Sequence, residues 1–179
     1  MATQAARQAE FARREQELAA AERPLLAALA TVGVAVSSVW DLVNSKVEYP
    51  EAVPVLLRHL TADYPAAIRS AIARALVTPT ARARWTELVE LFRRESNVQV
   101  REALAIAVNS LAGPEHFEGL VGLVRDRSLG PDRAMFADGI GNFRHDAVVE
   151  ILRELASDPD VAVATWRKSG RCRETEVER

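Results

Sequence analysis

VPVLLRHL (53–60), WTELVELF (85–92), FEGLVGLV (117–124) and VVEILREL (148–155) decide the fold. Sliding the chain by 32 residues lays Val53, Leu56, Leu57 and Leu60 on Trp85, Leu88, Val89 and Phe92, and then on Phe117, Leu120, Val121 and Val124. A fourth copy, one residue short, supplies Val148, Ile151, Leu152 and Leu155. The spacing i, i+3, i+4, i+7 puts each set on one face of an α-helix. A second helix in each unit obeys the same shift: Ile68, Ala71, Ile72, Ala75 and Leu76 fall on Val100, Ala103, Leu104, Ala107 and Val108, and on the weaker set Asp132, Met135, Phe136, Gly139 and Ile140. The last unit keeps Val161 and Ala164 and then loses the pattern.

Punctuation agrees with this division. Pro50, Pro54 and Pro114 fall in the first turns of first helices, where a fixed φ and a missing N–H are tolerated. Asp63-Tyr64-Pro65, Ser96-Asn97, Leu129-Gly130-Pro131 and Ser157-Asp158-Pro159-Asp160 separate the paired helices with N-cap acceptors and turn formers. One amphipathic hairpin cannot hide both apolar faces alone, so neighbours must stack.

The tetratricopeptide Trp-Leu-Gly-Tyr pattern and the ankyrin Thr-Pro-Leu-His pattern are both missing. Instead Asp63 precedes Arg69, and Glu95 precedes Arg101, by six residues across the turn. From about Pro50 to Arg167 the chain resembles the HEAT repeat, in particular its short bacterial form, whose turn acid and second-helix arginine build a structural ladder. The resemblance implies an all-α, right-handed α-solenoid of stacked antiparallel hairpins, HEAT/ARM-like, with second helices lining a concave face. Two departures stand out. Arg127 occupies the acid's place ahead of Arg133, and Ala162 the arginine's place in the last unit.

Three regions are expected: a charged N-terminal helix over 1–23, a repeat array over 24–168, and a disordered tail over 169–179 without apolar periodicity. The array divides into hairpins at about 24–44, 50–77, 80–111, 114–143 and 145–168. The first runs from Pro24 to Ala30 and then through Val36, Val39, Trp40 and Val43, and Gly33 marks its turn. The alternation of Val32, Val34 and Val36 also suits a strand, but no partner strand exists to satisfy its backbone, so helix is favoured. In the N-terminal helix, Glu10 with Arg14 and Arg13 with Glu17 form i, i+4 pairs, and Phe11 and Leu18 are the large apolar residues.

The 179 residues are 49% hydrophobic, enough for a sizeable core. A single cysteine, Cys172, excludes an intrachain disulfide and fits a reducing cytoplasm. The first residues do not read as a secretory signal, and no apolar run approaches the ~20 residues a membrane span requires. All but two of the 23 basic residues are arginine, a usage like that of a GC-rich bacterial genome, and 25 acidic residues bring the net charge to −2. Bulk charge therefore gives nucleic-acid binding no support.

Catalytic constellations are not found. His59, His116 and His145 fall in three different units, and none pairs with another at i, i+3 or i, i+4 to share a metal. The repeated His-Glu pairs of iron-binding HEAT-like hydroxylases are missing. Gly139-Ile140-Gly141-Asn142 sits inside an expected helix with no strand ahead of it, which favours packing over phosphate binding. Cys172 has arginines but no histidine beside it and reads as inert. No cofactor and no enzymatic activity are expected.

The expected function is a cytoplasmic interaction module that binds a protein or peptide on the concave face through Arg74, Asn109, Arg133, Asp138 and Trp166. Asp63, Arg69, Glu95 and Arg101 would form the structural ladder. The rest of that face reads as small and mixed in charge: Ser70, Glu102, Ala134, Ile106, Arg167, Val77 and Gly141. Such a surface admits a helix or an extended segment and suits a protein better than a polyanion. The alternative is a nucleic-acid-binding protein resembling HEAT-like DNA repair glycosylases, with Asp138 and Trp166 as acid and aromatic. A further enzymatic resemblance, to lyases that attach bilin chromophores, rests on fold alone. Self-association through an incomplete end of the array stays open.

Overall fold

The computed structural model describes residues 2–166, which form ten α-helices joined by turns and three 3-10 stretches, with no strand among them. Arg167, Cys172 and the 169–179 tail lie outside the described residues. The chain divides into two compact units, Met1–Ala107 and Val108–Arg179.

The first unit opens with α1 (Ala2–Thr31), which runs through Pro24 without a break, so the boundary expected at residue 23 does not exist. Proline removes one ladder hydrogen bond and crowds the carbonyl four residues back. Here its ring is solvent-exposed while the adjacent Leu25 and Leu29 are fully buried, and α1 packs on later helices over that stretch. At about 1.5–3 kcal/mol for each buried leucine, packing offsets the proline's cost. The helix ends at Gly33, whose φ of +83° only glycine adopts without strain. The amides of Gly33 and Val34 donate back to Ala30 and Leu29 at 3.1 and 3.0 Å, a Schellman closure.

Val34 to Val36 are neither strand nor helix. The second helix of this hairpin, α2, is only Val39–Val43 and starts at Ser38, where a capping box with Asp41 fixes the N-terminus. A third group assists: the buried Glu22 of α1 accepts from the Val39 amide at 2.6 Å and from the Ser38 hydroxyl at 3.1 Å. The expected stripe of Val36, Val39, Trp40 and Val43 is therefore wrong in phase. Val39 and Leu42 are buried, and Trp40 faces out.

Next come α3 (Ala52–Leu60) and α4 (Ala66–Ala75). Val53, Leu56, Leu57 and Leu60 are buried, as are Ile68, Ala71, Ile72, Ala75 and Leu76. The two helices pack on one another; α1 packs on α3, and α2 on α4. First helix thus lies on first helix, and second on second. The Tyr49 hydroxyl, at 2.8 Å from the Ala75 carbonyl and 3.1 Å from that of Leu42, ties the ends of α2 and α4. Burial pushes its pKa up, so it remains a donor. A 3-10 stretch, Pro79–Arg84, leads into α5 (Trp85–Arg94), and α6 (Val98–Leu111) follows and carries the unit boundary. Trp85, Leu88 and Phe92 are buried and Val89 is half-buried, whereas Val100, Ala103, Leu104 and Ala107 are buried in full.

In the second unit a 3-10 turn at Pro114–His116 precedes α7 (Phe117–Arg125). A 3-10 stretch at Arg127–Arg133, reversed at Gly130 with φ +55°, leads to α8 (Ala134–Gly141). Then come α9 (Val148–Ala156) and the short α10 (Val161–Ala164), capped by Asp160. Phe117, Leu120, Val121 and Val124 are buried, with Phe136 and Ile140 of α8 and Val148, Ile151 and Leu155 of α9. Each hairpin packs on itself, α7 with α8 and α9 with α10, and α8 meets both α9 and α10.

Candidate functional site

Second helices carry the expected binding face, so the exposure of their off-stripe residues decides what that face contains. In the first unit Arg74 is half-buried, Glu102 is exposed, and Ser70 is not on the surface at all, with 2% exposure. Ser70 follows Arg69 directly and points inward with Ala71, so α4 buries a wider arc than its apolar letters suggest. What the surface offers instead is apolar: Trp40 on α2 at 47% exposure, Val77 just past α4 at 39%, and Ile106 on α6 at 38%. The 32-residue shift sets Ile106 at the position of Arg74.

The arginine ladder runs differently from the expected one. Arg69 does not pair with Asp63. Its Nε donates to the Leu60 carbonyl at 2.9 Å, and its Nη2 pairs with Glu95, at the foot of the next hairpin's first helix. Arg101 reaches the backbone of the same turn: its Nη1 donates to the Phe92 and Glu95 carbonyls at 3.2 and 3.0 Å, and its guanidinium lies 4.4 Å over the Phe92 ring. Glu95 also accepts from the Asn97 amide at 2.8 Å, which holds the turn into α6. The acid serves the hairpin before it and the turn after it.

Arg133 repeats the arrangement in the second unit. Expected to be available for a partner, it is buried and bidentate with Asp158, Nη1 to Oδ2 at 2.7 Å and Nη2 to Oδ1 at 2.9 Å, while its Nε donates to the Gly130 carbonyl at 3.0 Å. The hydrogen bond to Arg133 holds the Asp158 carboxyl below the usual aspartate range and raises Arg133 in turn. Asp158 is the turn acid of the following hairpin, as Glu95 is for Arg69. In both cases the arginine reaches 25 or 26 residues ahead. The acid that Arg133 lacks at residue 127 is therefore supplied from the next turn.

The remaining expected contacts are committed to the fold to different degrees. Trp166 is 4% exposed and belongs to the core, so it is no surface anchor. Asn109 Nδ2 donates to the Met135 carbonyl at 2.6 Å, and its carboxamide oxygen lies where a Cβ on residue 139 would sit. A side chain at 139 would displace the Asn109 carboxamide, so close packing accounts for Gly139. Of the five residues, Arg74, Asn109 and Asp138 are half-buried, whereas Arg133 and Trp166 are buried. No family model, curated protein or solved structure matches this chain.

Among the described residues no three His, Cys, Asp or Glu side chains are grouped to hold a metal ion, and no helix is long and apolar enough to cross a membrane. The three histidines have local partners. His59 Nδ1 and the Tyr64 hydroxyl share a hydrogen bond of 2.7 Å, and burial, with Arg58 nearby, lowers the pKa of His59. His116 Nδ1 accepts from the Gly113 amide at 2.9 Å, and His145 stacks on Phe117 with ring centroids 4.1 Å apart.

Trp40 is the surface residue that sequence reasoning missed. The signal was present in Ser38-x-x-Asp41, a capping box that starts the helix at Val39 and pairs Val39 with Leu42 on the inner face.

Proposed function

We propose that the chain is a non-enzymatic interaction module of HEAT-like hairpins, and that the second-helix face of its first unit docks a helix or extended segment of a protein partner. Within each unit the hairpins stack in sequence order in the HEAT manner. Three features support that arrangement: like helices pack on like in the first unit, α8 packs on α10 in the second, and Arg69 and Arg133 each reach the acid of the following turn. The observation that carries the binding reading is the exposure of Trp40 and Ile106 on second helices, and of Val77 just past one, where the opposite sides of those helices already form the core. Exposed apolar side chains, with the half-buried Arg74 and the exposed Glu102 on the same set of second helices, suit an interface centre with a polar rim.

The test is selection of a random peptide library displayed on phage against the full chain, with bound peptides then titrated against Trp40→Ala/Ile106→Glu and against Glu150→Arg, which lies on α9. Selected peptides should bind wild type and the α9 variant alike and lose about ten-fold or more in affinity for the double variant, the ~1.4 kcal/mol or more typical of a truncated centre. Equal binding to all three, or no enrichment, overturns the assignment.

A further inference from the structure

The N-terminal two thirds of α1 have nothing to pack on: every described side chain from Gln4 to Ala20 is exposed except Glu10 and Leu18, which are half-exposed. Burial begins at Glu22, Leu25 and Leu29. The free segment is about 25 Å long at 1.5 Å per residue. Among the described residues its ion pairs lie within the helix: Glu10 with Arg13 and Arg14, each at 2.9 Å, and Arg13 with Glu17 at 3.0 Å.

We propose that this segment is a dimerisation arm that pairs antiparallel with α1 of a second copy of the chain. Phe11, at 64% exposure, lies seven residues from Leu18 and fourteen from Leu25, so it continues along the free segment the same face that Leu25 buries in the fold. Beside it is a depression lined by Ala6, Arg7, Glu10, Phe11 and Arg14. Residues 7, 10, 11 and 14 are spaced i, i+3, i+4, i+7, the four corners of a hole that accepts one side chain from a facing helix.

Charge selects the second copy as the occupant. Arg7, Glu10, Arg14 and Glu17 follow one another at intervals of three, four and three along one edge of the helix, with signs plus, minus, plus, minus. Read backwards the order is minus, plus, minus, plus. An antiparallel copy centred on Ala12 therefore sets Arg7 against its Glu17 and Glu10 against its Arg14, and the same two pairs recur across the axis. That centre is also the midpoint of the exposed segment, so the free lengths overlap fully and end where each helix enters its own fold. The two Phe11 side chains then lie about 3 Å apart along the axis, each at the other's hole. A parallel copy would set each charge beside its like.

Sedimentation equilibrium on the full chain, with far-UV circular dichroism to confirm the helix, tests this. Wild type should dimerise reversibly at micromolar to submillimolar concentration, more weakly as salt rises. Phe11→Glu, and separately Arg7→Glu/Arg14→Glu, should weaken dimerisation by about ten-fold or more. Reversal of all four charges, Arg7→Glu/Glu10→Arg/Arg14→Glu/Glu17→Arg, should restore it among reversed chains but not between reversed and wild-type chains. A wild type that stays monomeric throughout overturns the proposal, as does a dimer indifferent to Phe11→Glu or one in which reversed and wild-type chains mix freely.

Discussion

Replacing Asp158 by asparagine should destabilise the protein well beyond what a surface ion pair carries. The carboxylate is 10% exposed and the Arg133 guanidinium 6%, and the two make a bidentate contact at 2.7 and 2.9 Å. Removing one partner of such a pair leaves the other charge desolvated, which costs 3–5 kcal/mol; with Asp158 at the end of a turn, the low end, about 3 kcal/mol, applies. For a chain of this size each kcal/mol lowers Tm by roughly 2–4 °C, so the shift should be about 6–12 °C. An internal control is available in Arg125 and Glu154, which are also bidentate, at 2.9–3.1 Å, but 54% and 48% exposed. Glu154→Gln should cost no more than about 1 kcal/mol. Arg133→Met/Asp158→Leu, which removes both charges, should be less destabilised than either single variant.

The same pair sets a pH dependence. Because the folded pKa of Asp158 is depressed, the unfolded chain takes up its proton first as pH falls. The contribution is present above about pH 4, the ordinary aspartate value, and is lost as pH drops below it through the folded value. Thermal melts of wild type and the asparagine variant should converge in acid. Equal Tm losses for Asp158→Asn and Glu154→Gln at neutral pH, or a gap between wild type and Asp158→Asn that persists unchanged in acid, would refute the reasoning.

Two further outcomes follow from packing. Gly139→Ala places a methyl on the Asn109 carboxamide and should cost about 1–3 kcal/mol in urea denaturation, with Asn109→Ala in the same chain recovering part of the loss; a neutral single variant contradicts the close approach. Leu57→Asp, at a position 5% exposed, should abolish the cooperative melt of the first unit, whereas Val89→Asp, half-buried, should lower Tm without abolishing it.

Where one face of a helix is apolar and regularly spaced, the sequence was sufficient: every member of the two apolar sets at 53–60 and 68–76 is buried, because burial of three or four large side chains outweighs local preferences. Two kinds of information were not legible. The partner of Arg69 had two acids of suitable type, one six residues before it and one 26 after, and only the stacking of hairpins brings Glu95 closer than Asp63. Residues 24–44 failed for the opposite reason. Pro24 and the Val32 to Val36 alternation suggested boundaries that tertiary contacts from Glu22 and Leu25 override. Trp166 and Ser70 were misplaced because a wheel drawn for one helix does not know how many neighbours it has.

The forward reach of Arg69 and Arg133 changes what one repeat means. If each cation is neutralised by the following turn, then a hairpin is electrostatically incomplete when excised at its own loops, and deleting 157–166 would leave Arg133 buried without its counterion. The segment that can be duplicated or removed without stranding a charge runs from one second helix to the next, so lineages that lengthen or shorten such a chain should break it in mid-hairpin, not at the turns.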